Sequence, residues 1–150
     1  MPTLHHAPLA RIDQHTLYRI MALRIAVFVH EQGIVDEIEL DGADLLLTTD
    51  LFWMQNDDGE VTATLRVLAD HDPVHIGRVA TAAAARGRGY AGQLLRAALR
   101  AYPGAVEISA QSHLEKWYGR FGFARIGDNY QEAGIPHVRM LKTSGETDAT

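Results

Sequence analysis

The stretch ARGRGYAGQLLRAALRAY, Ala85–Tyr102, joins a basic, glycine-spaced turn directly to an apolar segment with a helical pattern. Backbone N–H groups at a helix N-terminus lack partners within the helix and carry the positive end of its dipole. Because Gly87 and Gly89 have no Cβ, an anion can approach the backbone closely there. Arg86 and Arg88 add positive charge and forked hydrogen-bond donors. The turn therefore predicts a phosphate or pyrophosphate site.

Three alternatives compete with this interpretation. Gly and Arg are common in surface turns, so the turn alone is also compatible with an ordinary loop. A Walker A loop requires Gly-x-x-x-x-Gly-Lys-Ser/Thr, and the sequence contains no such string. Gly87, Gly89 and Gly92 have the spacing of a dinucleotide fingerprint, but that motif opens a parallel βαβ unit near the start of a sheet. Several antiparallel-type segments precede the turn here, so neither of these two phosphate loops is favoured.

Composition and charge limit the kinds of domain, site and partner that this protein can have. The 150 residues predict one domain spanning 1–150, with a flexible polar tail from about 143 to 150. The absence of cysteine excludes disulfides, thiolate zinc sites and a cysteine nucleophile. The net charge of −5 argues against general nucleic-acid binding and favours cationic small molecules. No apolar run is long enough to span a membrane, and no signal-peptide pattern opens the chain, so we expect a cytoplasmic protein.

The order of predicted elements is β-α-β-β-β-α-β-α-β-β, which indicates an α+β domain with a mixed sheet. A short strand near the N-terminus is followed by an amphipathic helix that Asp13 caps. The turn NDDG predicts a hairpin between the next two strands. The predicted bounds are 14–32, 89–102 and 112–123 for the helices, and 45–55, 60–69, 73–81, 105–111, 124–130 and 137–142 for the later strands.

Two motifs resemble the cofactor segments of the GNAT acetyltransferases. The run Arg86–Ala91 matches Arg/Gln-x-x-Gly-x-Gly/Ala, the pyrophosphate loop of that family, and IGRVAT stands where the family has its fourth strand. Downstream, Tyr118 precedes the Gly of a Gly-Phe pair by four residues, as in the family's second cofactor segment. The resemblance extends over nearly the whole chain and is to the ElaA-type branch of the family. The further stretches that carry it are LHHAPL, LYRIMALRIAVFVHEQ, DGAD and GIPHVRM.

This resemblance implies a GNAT fold and an N-acetyltransferase that uses acetyl-CoA. It implies that Val79 and Thr81 offer backbone groups to pantetheine on a strand that splays from its neighbour, and that Tyr118 acts as the acid toward the sulfur of coenzyme A. The alternative for Tyr118 is simple packing with its hydroxyl on a backbone carbonyl. The cofactor-binding residues that we expect are Val79, Ala80, Thr81, Arg86, Gly87, Arg88, Gly89, Tyr90, Ala91, Gly92, Gln111 and Tyr118.

The base and the acceptor site are less defined by the sequence. Glu31, at the end of the first helix, is the first candidate for the base, and His137 is the second, while base catalysis through water stays open. Glu37, Glu39 and Asp41 form an acidic loop. Together with Glu31 and His137, these residues can attract the ammonium group of a substrate. Arg66 and Arg78 lie in strand segments, where they either reach solvent or bind an acceptor carboxylate or a nearby acidic side chain.

The leading interpretation is thus an enzyme that acetylates a small-molecule or peptide amine. The alternative is a non-catalytic domain that binds acetyl-CoA or coenzyme A as a regulatory signal. We expect no metal site, because the pair His71 and His75 is interrupted by Pro73. We expect neither a nucleic-acid nor a membrane partner, and whether exposed sheet edges form a homodimer stays open.

Overall fold

The computed structural model describes residues 1–144. From residue 145 onward, the tail predicted at 143–150 lies outside the described residues. Within them, the elements follow in the predicted order, with seven strands and three α-helices.

The first helical segment has two parts. Helix α1 spans Gln14–Arg24, and the Asp13 side chain accepts a hydrogen bond from the backbone N–H of Thr16, which confirms the predicted cap. The chain then continues as a π-helical segment over Ile25–Glu31, where one continuous α-helix was predicted. Such wide turns are rare and often occur near functional sites. The widened segment ends at the two cavities described below.

Two further α-helices and four short 3-10 turns complete the helical structure. Helix α2 spans Tyr90–Ala101, and α3 spans Glu115–Gly119. The third helix ends four residues earlier than predicted, because the chain turns at 120–122, where Gly122 has a φ of 94°. Ser112 begins a 3-10 turn that leads into α3, although the sequence predicted it as the helix cap. The 3-10 turns are Leu9–Arg11, Ala43–Leu45, Ala83–Ala85 and Ser112–Leu114.

The seven strands form one mixed sheet in the order β1-β2-β3-β4-β5-β7-β6. Neighbouring strands are antiparallel except β4 and β5, which are parallel because α2 crosses between them. The second strand begins four residues later than predicted, since Ala43–Leu45 forms a turn instead. The strands are β1 Thr3–Ala7, β2 Thr49–Gln55, β3 Val61–Leu68, β4 Val74–Thr81, β5 Val106–Gln111, β6 Ala124–Glu132 and β7 Ile135–Lys142.

Helices pack on both faces of the sheet. Leu94 and Leu95 of α2 are fully buried in one apolar cluster with residues of β2 to β5 and β7. On the other side, Ile20 and Leu23 of α1 join a smaller cluster with Trp53. Because α2 packs on the sheet through its apolar face, its N-terminus is fixed beside the C-terminal end of the central strand β4.

Strand β4 contains a bulge at Arg78 that shapes the site. Arg66 of β3 pairs with Gly77, whereas Thr64 pairs with Ala80, so β4 carries one extra residue between these pairs. Arg78 has φ of 54°, a left-handed conformation that is uncommon for a residue with a side chain. The pairing of β4 with β5 stops at Ile76 and Ile108, and the later part of β4 lies apart from β5. The splay that the family resemblance implied is therefore present.

Candidate active site

The glycine-spaced turn forms an open cradle at the start of α2. Gly87 and Gly89 have φ of 83° and 77°, and a Cβ built on either would meet no atom within 4 Å. Gly89 is the first flanking residue of α2, and no side chain caps the helix there. The first backbone N–H groups of α2 therefore have no side-chain partner at the helix start, an arrangement that suits a pyrophosphate.

A groove of about 700 Å³ runs from this cradle toward the splayed strands. It brings together most of the residues predicted to bind the cofactor. Arg88 is exposed and is not among the groove-lining residues, and Gln111 lies instead in the second cavity. The predicted residues that line the groove are Val79, Ala80, Thr81, Arg86, Gly87, Gly89, Tyr90, Ala91, Gly92 and Tyr118.

Gly92 is required by packing within the groove. A Cβ at this position would approach the Phe121 ring to 3.3 Å, which is closer than ordinary van der Waals contact. The absence of a side chain lets the first turn of α2 lie against this ring, which also lines the groove.

Glu31 and Arg86 form a two-point ion pair at the mouth of the groove. Arg86 Nη2 donates to Glu31 Oε1 at 2.6 Å, and Arg86 Nη1 donates to Oε2 at 2.7 Å. These hydrogen bonds hold the pKa of Glu31 below its usual value. Glu31, the first candidate for the base, thus lines the groove and does not line the second cavity.

The second cavity, of about 690 Å³, lies on the other side of the splayed strands. Val79 and Tyr118 line both cavities, and so do Gln32, His113 and Leu114. The two cavities therefore meet at Tyr118. Its side chain is 6% exposed, burial raises its pKa, and its hydroxyl makes no hydrogen bond to any of residues 1–144.

Six charged residues form a neutral ion cluster beneath this cavity: Arg24, Glu39, Asp41, Asp44, Arg66 and Arg78. Arg24 is 1% exposed and donates to Glu39 Oε2 at 2.7 Å and to Asp44 Oδ1 at 2.8 Å. Arg66 holds Asp41 through two hydrogen bonds of 2.8 and 3.0 Å. The two-point bond from Arg66 holds the pKa of Asp41 far below its usual value.

Arg78 joins the ion cluster from the bulge. Its Nε donates to Glu39 Oε2 at 2.9 Å, and its Nη2 donates to the Glu39 carbonyl at 3.1 Å. Of the two outcomes that the sequence left open for Arg66 and Arg78, the structure shows the pairing with nearby acidic side chains. The charges of Glu39 and Asp41 are therefore compensated by arginines, and the acidic loop is fastened to β3 and β4.

His137 lies in the second cavity with polar neighbours that sequence reasoning missed. It is 6% exposed, and its Nδ1 lies 2.7 Å from the carbonyl oxygen of Ile135. Its Nε2 lies 3.5 Å from Glu132 Oε2, and Ser109 Oγ lies 3.4 Å from Glu132 Oε1. Tyr130 shares a hydrogen bond with Ser109. The alternation of strands β5 to β7 puts these polar residues on one face, but only the sheet order brings them together.

His75 also lines the second cavity, and burial lowers its pKa. Within residues 1–144, no group of three or more potential ligands is placed to hold a metal ion. In the same part of the chain, no helix is long and apolar enough to cross a membrane.

Several known proteins are similar to this chain in sequence and in architecture. The chain is 43% identical over 145 residues to a UPF0039 protein of Mycobacterium tuberculosis, with 91% of each chain covered. It is 39% identical to ElaA of Escherichia coli, with 93% of each chain covered. An acyl-CoA N-acyltransferase of Pseudomonas aeruginosa superposes with a TM-score of 0.87 at 36% identity, covering 95% of this chain and 100% of that one.

The crystal structure of E. coli ElaA gives the same TM-score of 0.87, at 32% identity, with 95% of this chain and 99% of that chain covered. A family model for the acetyltransferase (GNAT) domain matches residues 26–144, which include the splayed strand, the glycine-spaced turn and Tyr118. The mixed sheet, its splay and these matches lead to one conclusion: the chain belongs to the GNAT family of acyl-CoA N-acyltransferases.

Proposed function

We propose that this acyltransferase moves an acetyl group from acetyl-CoA to a primary amine by direct attack in a ternary complex. The observation that carries the proposal is the meeting of two cavities at Tyr118 and Val79. One cavity has a basic, glycine-lined end that suits a pyrophosphate, and the other contains carboxylates and a buried histidine. A donor in the first and an amine in the second would bring thioester and nitrogen together.

The groove residues divide between two parts of acetyl-CoA. The open backbone of Gly87 and Gly89, with Arg86, binds the pyrophosphate. The unpaired edge of β4, at Val79 and Thr81, offers backbone groups to pantetheine, and one N–H there stabilises the oxyanion of the tetrahedral intermediate. The thioester supplies an activated acetyl carbon with a thiolate leaving group.

Tyr118 acts as the acid in this proposal. A tyrosine hydroxyl is protonated at neutral pH, and burial raises the Tyr118 pKa further, so the hydroxyl can donate to the developing thiolate at the junction of the cavities. His137 becomes the stronger of the two candidate bases, since it lines the acceptor cavity whereas Glu31 is bound to Arg86. The acceptor is a small-molecule or peptide amine, and the protein works in the cytoplasm.

The proposal is tested by following coenzyme A release with a thiol-reactive dye, which meets no cysteine in this protein. Acetyl-CoA is incubated with polyamines, amino acids, aminoglycosides and short lysine peptides, and acetyl-CoA binding is measured in parallel by thermal shift. Amine-dependent release supports the transferase. Thermal stabilisation without release by any amine supports the regulatory acetyl-CoA-binding alternative. If acetyl-CoA causes neither thermal stabilisation nor coenzyme A release, both interpretations are contradicted.

A further inference from the structure

The acceptor cavity contains a carboxylate whose charge no arginine or lysine compensates among residues 1–144. Glu132 ends β6 and lines the cavity with its side chain 48% exposed. Its described partners are the Ser109 hydroxyl and the His137 imidazole. Arg139, a cation of the neighbouring strand, is held by Glu107 through two hydrogen bonds of 2.8 Å. The Glu132 carboxylate therefore faces the cavity without an arginine or lysine partner among residues 1–144.

The other carboxylates of the cavity come from the acidic loop. Glu39 and Asp41 are bound by arginines of the ion cluster, so their charges are already compensated. Asp36 and Glu37, which are exposed on the same loop, also line the cavity and add two further carboxylates to it. Arg78 lines the cavity and donates its hydrogen bonds to residues of the 38–41 loop. It would have to break these bonds with the loop before it could bind the carboxylate of an acceptor. The cavity is thus built to recognise positive charge.

The geometry of His137 determines which of its atoms can take a proton. Nδ1 is directed at the Ile135 carbonyl at 2.7 Å, so it carries the hydrogen, and Nε2 holds the free lone pair. Nε2 faces Glu132 at 3.5 Å, a distance that leaves the two groups close to each other without a short hydrogen bond. A donor placed between them satisfies both.

We propose that Glu132, with Ser109 and His137, forms the ammonium-binding site of the acceptor cavity, and that the acceptor is an alkyl-type amine that arrives as a cation. This inference rests on the proposed transferase activity and adds to it the substrate class and a binding residue. Glu132 binds the ammonium, Ser109 fixes the carboxylate, and His137 Nε2 receives one proton.

The atoms of this step balance. The ammonium gives one proton to His137 Nε2, and the nitrogen lone pair then forms a C–N bond with the acetyl carbon. The C–S bond breaks as the intermediate collapses, and the thiolate takes the Tyr118 proton. The nitrogen loses a second proton, which restores Tyr118 through solvent, and His137 releases its proton to water after the amide leaves.

The test uses n-butylamine, a cation at neutral pH, and its uncharged analogue butan-1-ol. Each is titrated into the full-length protein saturated with coenzyme A, and the backbone amide signals of Ser109 and His137 are followed by NMR. We expect saturable shifts with the amine and none with the alcohol. Glu132→Gln should weaken amine binding at least 10-fold, Glu132→Asp should restore part of it, and acetyl-CoA binding should be unchanged.

Glu115→Gln is the matched control, because Glu115 is a carboxylate paired with Arg125 outside both cavities. Glu115→Gln should respond to both probes as the unaltered protein does, with saturable shifts for the amine and none for the alcohol. The inference is overturned if Glu132→Gln binds the amine normally, or if the unaltered protein does not distinguish amine from alcohol. A failure of the proposed function is separate, since it would appear as loss of acetyl-CoA binding or of coenzyme A release in the unaltered protein.

Discussion

Both oxygens of the Glu31 carboxylate accept a hydrogen bond from the Arg86 guanidinium, at 2.6 and 2.7 Å. Arg86 is the first residue of the loop that we assign to the pyrophosphate, so a carboxylate of the chain lies where the groove offers its arginine to an anion. Planar two-point pairing is also the way arginine binds phosphate. If the loop binds the pyrophosphate as we propose, Glu31 and the cofactor would compete for the Arg86 side chain.

This competition gives the first prediction. Glu31→Gln removes the competing charge, and because the pair is exposed we expect acetyl-CoA to bind only about 2–5-fold more tightly. Calorimetry measures the affinity, and Glu115→Gln, which breaks a similar exposed pair with Arg125, serves as the control. If kcat instead falls strongly at unchanged affinity, Glu31 is the base and the competition model is wrong.

The second prediction concerns Tyr118. Tyr118→Phe keeps the ring contacts with Trp117 and Phe123 and removes only the hydroxyl, which has no partner among residues 1–144. Loss of a general acid lowers kcat by about 100-fold or more, while acetyl-CoA affinity changes little. Single-turnover release of coenzyme A measures the step. An unchanged kcat would reduce Tyr118 to a packing residue.

The third prediction concerns the ion cluster. Arg24→Met removes the most buried arginine of the cluster, so Glu39 keeps only Arg78 and Asp44 keeps only a 3.4 Å contact with Arg66. Breaking a buried pair costs about 3–5 kcal/mol of unfolding free energy, and the remaining arginines place the expected loss at the lower end of that range. Urea denaturation measures the loss. The matched control is Arg125→Met, which breaks an exposed pair and should leave the midpoint unchanged. Equal midpoints for Arg24→Met and the unaltered protein would contradict a stabilising role of the cluster.

The fourth prediction is the acid limit of stability. Because Arg66 lowers the pKa of Asp41 in the folded protein, this carboxylate stabilises the fold above its unfolded pKa of about 3.9. The contribution is lost as pH falls below about 4 toward the lower folded pKa. The stability difference between the unaltered protein and Asp41→Asn should be constant above pH 5 and shrink below pH 4. A difference independent of pH would rule out this linkage.

Local patterns predicted most of the fold. The Asp13 cap, the hairpin at NDDG and the glycine turn before α2 each depend on residues close in the chain, and the structure confirms all three. The π-helical segment after Arg24 was missed because the apolar spacing of 25–31 also suits an ordinary α-helix. Widening of the turn is not encoded in that spacing.

The candidate site was less predictable where it depends on distant contacts. The glycine turn and Tyr118 belong to short motifs, so their residues could be proposed from sequence. Glu132 and Ser109 belong to no motif, and they meet His137 only because β7 is inserted between β5 and β6. The pairing of Glu31 with Arg86 spans 55 positions, and no local pattern indicates it.

The single extra residue at the β4 bulge has an evolutionary consequence. The bulge interrupts the regular pairing of β4 with β3 next to the groove that we propose for the donor. It also places Arg78 where its side chain hydrogen-bonds to Glu39, in the loop that lines the proposed acceptor cavity. In the proposed function, donor binding and acceptor choice would therefore both depend on this one bulge. A lineage that diversifies its acceptors can vary the exposed positions 35–37 freely, but any change at Glu39 must be matched at Arg78, so these two positions should drift together.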